Sequence, residues 1–196
     1  MKVIEEFFRE LDHEWKSGQE GKITLLVIGS GALFLQTDYE RGTKDSDVLE
    51  TPEISPDVSK RLRALAGRGS PLFKKYRVFL DIVRAPIPFL PQTPIFHPVP
   101  GFKNFKNFEV KVLDVVDVAV SKLKPFRPQD KKDIEFLANK KLLPYDRLLE
   151  RFHLVLDYYS MDARAGDFPK FLENLNTVER DMLFVPESKI ELPDYI

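Results

Sequence analysis

The sequence contains no cysteine. That absence excludes disulfides, thiolate zinc sites and a thiol nucleophile. Histidine is scarce: His13, His97 and His153 stand far apart, with none of the short spacings that metal ligands on one helix require. Charge of one sign is also lacking, since 30 basic residues face 31 acidic ones and the net charge is −1. A protein that coats polyanions normally shows a long basic run, so nucleic-acid contact here would need a local basic patch. No apolar stretch approaches the length of a bilayer span. The opening MKVIEEFFRELDHEW places acids where a signal peptide carries basic residues and an apolar core. These absences lead to the expectation of a cytoplasmic protein with no membrane partner.

What is present suits a folded domain of this length: 43% hydrophobic and 31% charged residues, with sixteen phenylalanines to build a ring-rich core. Val3, Phe7, Leu11 and Trp15 recur at helical spacing, which predicts a helix over residues 2–17. Residues 22–28 are β-branched and apolar, and predict a central strand buried on both faces. The strand runs into Gly29-Ser30-Gly31 and a short helix over residues 32–35. A polar turn over 37–43 leads to a second strand, Asp45–Leu49. Ser55-Pro56-Asp57 starts a helix that ends before Gly67-Arg68-Gly69. A third strand is expected over 76–84, with Asp81 at its centre. The proline-dense segment 86–100 reads as a connection without regular structure. The tandem Phe-Lys-Asn at 102–107 fits either an aromatic surface for stacked bases or a hairpin edge with core phenylalanines, and a strand is expected at 108–112. From Asp114 onward helices are expected over 114–124, 128–140, 145–159 and 167–182, with residues 185–196 as a tail. The expected fold is thus α+β: a mixed β-sheet flanked by helices over residues 1–113, then a helical region over 114–196, packed as one unit.

The chemically informative stretch is 28–50. A strand ending in Gly29-Ser30 opens into a helix N-terminus, where N–H groups and the dipole favour phosphate. Gly29 permits close backbone approach and Ser30 adds a hydroxyl. Asp45 and Asp47, two apart on a strand, point to one face. Two adjacent carboxylates repel unless a cation lies between them, and magnesium suits an all-oxygen pair that it can bridge to substrate phosphates. Asp81, inside Val78-Phe79-Leu80-Asp81-Ile82-Val83, would cost several kcal/mol if ionised and buried, and so calls for a partner. A metal shared with Asp45 and Asp47 is one such partner; an ion pair with Arg77 or Arg84 is another.

An apolar strand, Gly-Ser, a spacer, Asp-x-Asp and a later strand acid resemble the nucleotidyltransferase superfamily, here on Gly29, Ser30, Asp45, Asp47 and Asp81. The chain further resembles minimal nucleotidyltransferase-like proteins related to abortive-infection (AbiEii-type) toxins. That likeness rests on Thr43 to Leu49, on Ser121-Lys122-Leu123 and on Asp130-Lys131-Lys132-Asp133. The resemblance implies the nucleotidyltransferase fold and a metal-dependent transfer of NMP from a nucleoside triphosphate to a hydroxyl of RNA, such as transfer RNA, or of protein. It implies Mg2+ at Asp45, Asp47 and Asp81, with Asp81 able to act as base and Lys122 able to neutralise triphosphate charge. The nucleotide would touch Gly29, Ser30, Arg41, Thr43, Lys122 and Asp133. The implied setting is the toxin of a toxin–antitoxin pair, with an antitoxin protein as partner.

Plainer readings stand beside these. Lys122, close to Lys124 at a helix end, and Asp130 and Asp133, in or near a first turn, would each favour the helix dipole without any ligand. Arg41 could be a solvated loop arginine. The same fold could hold a nucleotide or a partner protein without turnover, or the carboxylates could be incidental to a helical interaction protein.

Overall fold

The computed structural model describes residues 2–16, 21–39, 44–84 and 88–192. Arg41 and Thr43 lie outside the described residues. The described chain divides into two compact units, the first comprising residues 1–87 and 96–114 and the second 88–95 and 115–196.

In the first unit, α1 (Val3–Glu14) is followed by β1 (Ile23–Val27), α2 (Gly29–Gln36), β2 (Asp45–Leu49), α3 (Pro56–Ala66), α4 (Pro71–Tyr76), β3 (Phe79–Val83), β4 (Phe96–Pro98) and β5 (Phe108–Leu113). The strands form one mixed sheet in the order β3-β2-β1-β5-β4. β1 runs antiparallel to β2 and parallel to β5; β2 and β3 are parallel, and β4 and β5 antiparallel. This is the expected α+β architecture.

Register sorts the side chains by face. Ile23, Leu25 and Val27 share a face with Ser46, Val48, Leu80, Ile82, Phe108, Val110 and Val112, and all are buried. α2 packs against β2 and β5, α3 against β3, and α1 against α2 and α4. Burying side chains such as Phe7, Phe8 and Leu11 contributes about 1.5–3 kcal/mol each. The opposite face carries Thr24, Leu26, Asp45, Asp47, Leu49 and Asp81, all half-buried or exposed. β1 is therefore buried on one face only, because alternate residues of a mixed sheet need not both be covered.

Two elements differ from expectation. The strand expected from residue 76 begins at Phe79, and Pro71–Tyr76 is helical. Ser70 caps that helix by accepting from the Phe73 N–H at 3.1 Å, with Pro71 at its first position. The same Ser-Pro signal starts α3, where Ser55 accepts from the Val58 N–H. Within the segment expected to lack regular structure, Phe96–Pro98 forms an edge strand, and its proline sits where an edge tolerates one. The Phe-Lys-Asn repeat forms a 3-10 turn and a loop rather than a hairpin. Phe102, Phe105 and Phe108 are buried, which removes the base-stacking reading. Asp12 anchors the loop by accepting from the N–H groups of Lys106, Asn107 and Phe108 at 2.8–3.2 Å.

The second unit holds α5 (Val115–Leu123), α6 (Pro128–Asn139), α7 (Tyr145–Tyr159) and α8 (Phe168–Val178), the last continuing into a π-helical turn, Glu179–Leu183. Segment 88–95 belongs to this unit because buried polar groups hold it. Arg151 forms a bidentate pair with Asp117 at 2.6 and 2.8 Å and donates to the Thr93 carbonyl at 2.9 Å. Asp117 also accepts from the Ile95 N–H at 2.8 Å. Phe89 packs against Tyr159 and Phe171. Among the described residues, no helix is long and apolar enough to cross a membrane.

Candidate active site

The site grows from the end of β1. The Ile28 N–H donates to the Asp47 carbonyl at 2.9 Å, fastening the β1 terminus to β2. Gly29 then takes φ +60, a left-handed conformation that other residues adopt at a cost, and begins α2. A Cβ on Gly29 would lie 3.3 Å from Asp47 Oδ2, so the turn and this carboxylate are in near contact. The residue capping α2 is Ile28, which has no side-chain acceptor to offer the first N–H groups. Gly31 deepens the approach, since a Cβ there would meet Ser46 Oγ at 3.1 Å and Val27 Cγ1 at 3.3 Å. Ser46 Oγ is fully buried and has no hydrogen-bond partner among the described residues. Two small residues thus let α2 seat tightly on the sheet and bring its N-terminus beside β2.

β2 and β3 place the acids. Asp45 and Asp47 share a face by alternation, and the parallel register pairs Asp47 with Asp81. Neighbouring strands lie about 4.8 Å apart, so the second and third carboxylates project from adjacent positions on one face. Asp45 and Asp81 are exposed and Asp47 is half-buried. Exposure overturns the desolvation argument for Asp81, because β3 is an edge strand whose outward face remains wet. The ion pair with Arg77 or Arg84 does not form either: among the described residues Asp81 has no hydrogen bond or ion pair, while Arg84 lies 3.8 Å from Glu50. Among the described residues, no three His, Asp or Glu side chains are gathered as a metal cage.

Beyond Asp81 a cleft of about 460 Å3 opens, lined by Arg63, Gly67, Arg68, Phe79, Leu80 and Asp81. Arg68 lies over the Phe79 ring at 5.2 Å. These arginines were not among the residues expected at the site. The signal that could have found them is Gly67-Arg68-Gly69, an arginine in a tight turn directly after a helix.

Lys122 and Asp133 belong to the second unit. Lys122 is buried and lies 3.0 Å from Asp130 and 2.8 Å from Asp133, which is fully buried. Asp130 also accepts from the Arg127 N–H at 3.0 Å, closing the first turn of α6. The lysine is thus engaged with two carboxylates and joins α5 to α6.

A mixed sheet in which a Gly-Ser turn enters a helix beside an Asp-x-Asp strand is the arrangement of a nucleotidyltransferase. The chain belongs to the family described as nucleotidyltransferase of unknown function (DUF6036), whose model matches residues 5–171. Comparison with curated proteins and with solved structures gave no match.

Proposed function

We propose that this chain transfers a nucleotidyl group from a nucleoside triphosphate to a hydroxyl of RNA or protein, using Asp45, Asp47 and Asp81. The observation that carries the reading is Asp47, held 3.3 Å from the Cβ position of Gly29 and paired in register with Asp81. The side chains offer only oxygen, which fits magnesium. Without a three-acid cage, phosphate oxygens would complete the shell, as is usual for that ion. Asp45 and Asp47 would hold it; once bound, it supplies charge neutralisation on the phosphates and a more acidic acceptor hydroxyl.

The chain's own residues account for the rest. The α2 N-terminus at Gly29 and Ser30 receives phosphate oxygens. Asp81, exposed and without a partner among the described residues, accepts the proton of the incoming hydroxyl. Arg41 and Thr43, which precede β2 in sequence and lie outside the described residues, would contact the triphosphate. The resemblance also assigns nucleotide contact to Lys122 and Asp133, whose ion pair joins α5 to α6. The toxin role and the kinship with AbiEii-type proteins rest on the motifs at 43–49 and 121–133.

The test is incubation with each labelled triphosphate, magnesium, and total RNA or protein. Label should enter one acceptor, and Asp45→Ala or Asp47→Ala should abolish it while the fold persists. Absence of label with all four nucleotides sinks the catalytic reading. Binding without turnover is the second reading, favoured by the lack of a preformed three-acid cage. It requires a magnesium-dependent rise in melting temperature with a triphosphate but no product.

A further inference from the structure

The arginine cleft beside Asp81 has no part in the reading above. Arg63 and Arg68 are both exposed, and neither guanidinium has a carboxylate partner among the described residues. Gly67 creates their arrangement: a Cβ at that position would lie 2.5 Å from the Arg63 carbonyl oxygen. The Gly67 N–H donates to the same oxygen at 2.9 Å. Only a residue without a side chain closes this turn, which ends α3 and brings Arg68 back over Phe79. The ring supports one face of the guanidinium, while its N–H edges stay available. Two planar forks, neither in an ion pair among the described residues and one backed by an aromatic ring, suit the oxygens of a phosphodiester.

Position separates this cleft from the triphosphate. Crossing the sheet from β1 to β3, the order is Gly29, then Asp47, then Asp81, then the arginines. The Gly-Ser turn and the cleft therefore flank the acids on opposite sides. Two strand spacings, about 10 Å, separate β1 from β3. A donor anchored at Gly29 leaves the far side for the molecule that brings the hydroxyl. Phe79, half-buried beside the guanidinium, offers an aromatic edge to an unstacked base.

We infer that the Arg63–Arg68 cleft is the acceptor subsite and that it grips the phosphodiester backbone of a single-stranded RNA end whose hydroxyl lies at Asp81. The identity of the hydroxyl as the attacking group rests on the proposed function; the grip on RNA does not.

The experiment uses the full chain and a fluorescein-labelled single-stranded RNA of about 12 nucleotides, followed by anisotropy across a salt series. In parallel, melting is measured with ATP, GTP, CTP and UTP plus magnesium. Arg63→Gln with Arg68→Gln should weaken RNA binding about tenfold and lower the salt slope by about 1.4, roughly 0.7 for each lost phosphate contact. The triphosphate-induced melting shift should be unchanged. Arg63→Gln alone, whose side chain contacts no described partner, should show part of the loss even if the double variant folds poorly. Arg68→Lys should keep the charge but not the full affinity. RNA binding unaffected by the double variant, or undetectable in the unaltered chain, overturns the inference. Loss of the triphosphate shift with RNA binding intact also overturns it, assigning the cleft to the donor. Arginine-dependent RNA binding with no triphosphate shift upholds the subsite and refutes the nucleotidyltransferase reading instead.

Discussion

Two sets of acids, one in each unit, occupy opposite circumstances. In the second, Asp117, Asp133 and Glu179 are fully buried, and each has a dedicated donor: Arg151, Lys122, and the Tyr145 hydroxyl with the Ser188 N–H. In the first, Asp45 and Asp81 stand exposed on one sheet face, with Asp47 half-buried between the Gly29 turn and Asp81. A buried carboxylate is tolerated only when paired and hydrogen-bonded, so the buried acids of the second unit mark architecture. Like charges set side by side on adjacent strands repel, the kind of local conflict that functional sites retain. The comparison sets acids buried against dedicated donors beside the wetter acids of one sheet face, on which the proposed transfer rests.

The largest expected effect breaks the comparison on the side of function. Asp45→Ala and Asp47→Ala should each reduce label transfer by about 10²–10³-fold or more, the scale on which removing one electrostatic element of a catalytic site acts. Asp81→Asn should match them in activity. Its unfolding free energy should stay within the change expected of a surface substitution, about 0.5 kcal/mol. A large loss of stability in Asp81→Asn, measured by urea unfolding, would move that acid into the architectural class.

On the structural side, Arg151→Met should destabilise the second unit by about 3–5 kcal/mol, because Asp117 is left charged and fully buried. Adding Asp117→Asn should restore part of that loss, a coupling that urea unfolding of the single and double variants measures. Additive losses would mean that the pair is not the clamp on segment 88–95.

Much of this contrast was legible in the sequence, and the parts that were not have physical reasons. Asp45-Ser46-Asp47 declares two acids on one face by alternation alone, and Gly29-Ser30 after an apolar strand declares a helix N-terminus. The in-register pairing of Asp47 with Asp81 is a tertiary fact that no local period encodes. Apolar neighbours on both sides make Asp81 read as buried, yet only Leu80 and Ile82 face the core. Ser70-Pro71 announces a helix as plainly as Ser55-Pro56, but the β-like residues after Tyr76 masked a helix of six residues. The arginine cleft depends on the path of the Gly67 turn, and the edge strand at 96–98 on pairing with β5, both set by contacts distant in sequence.

Gly29 tests the junction between the two classes. Gly29→Ala adds a methyl group 3.3 Å from Asp47 Oδ2 at a residue with φ +60. The left-handed strain costs about 1–2 kcal/mol, visible as a lowered urea midpoint. The added group also displaces the Asp47 carboxylate, so activity should fall more than stability does. Equal activity in this variant would show that the near contact is not needed for transfer.

The smallest effect concerns an acid of the first unit that behaves like those of the second. Glu10 accepts hydrogen bonds from Lys75 and the Tyr76 hydroxyl, linking α1 to α4. These two donors, Lys75 foremost, hold its carboxyl below the ordinary glutamate value of 4.5. A lowered folded-state value stabilises above the unfolded one and loses that contribution as pH falls through the folded one. Glu10→Gln should therefore cost about 0.5 kcal/mol at pH 7, the scale of a partly exposed ion pair. The difference from the unaltered chain should begin to shrink as pH drops below 4.5 and vanish once Glu10 itself is protonated. Thermal unfolding of both proteins from pH 7 to pH 3 reads this directly. A penalty independent of pH would assign the contact to packing rather than charge.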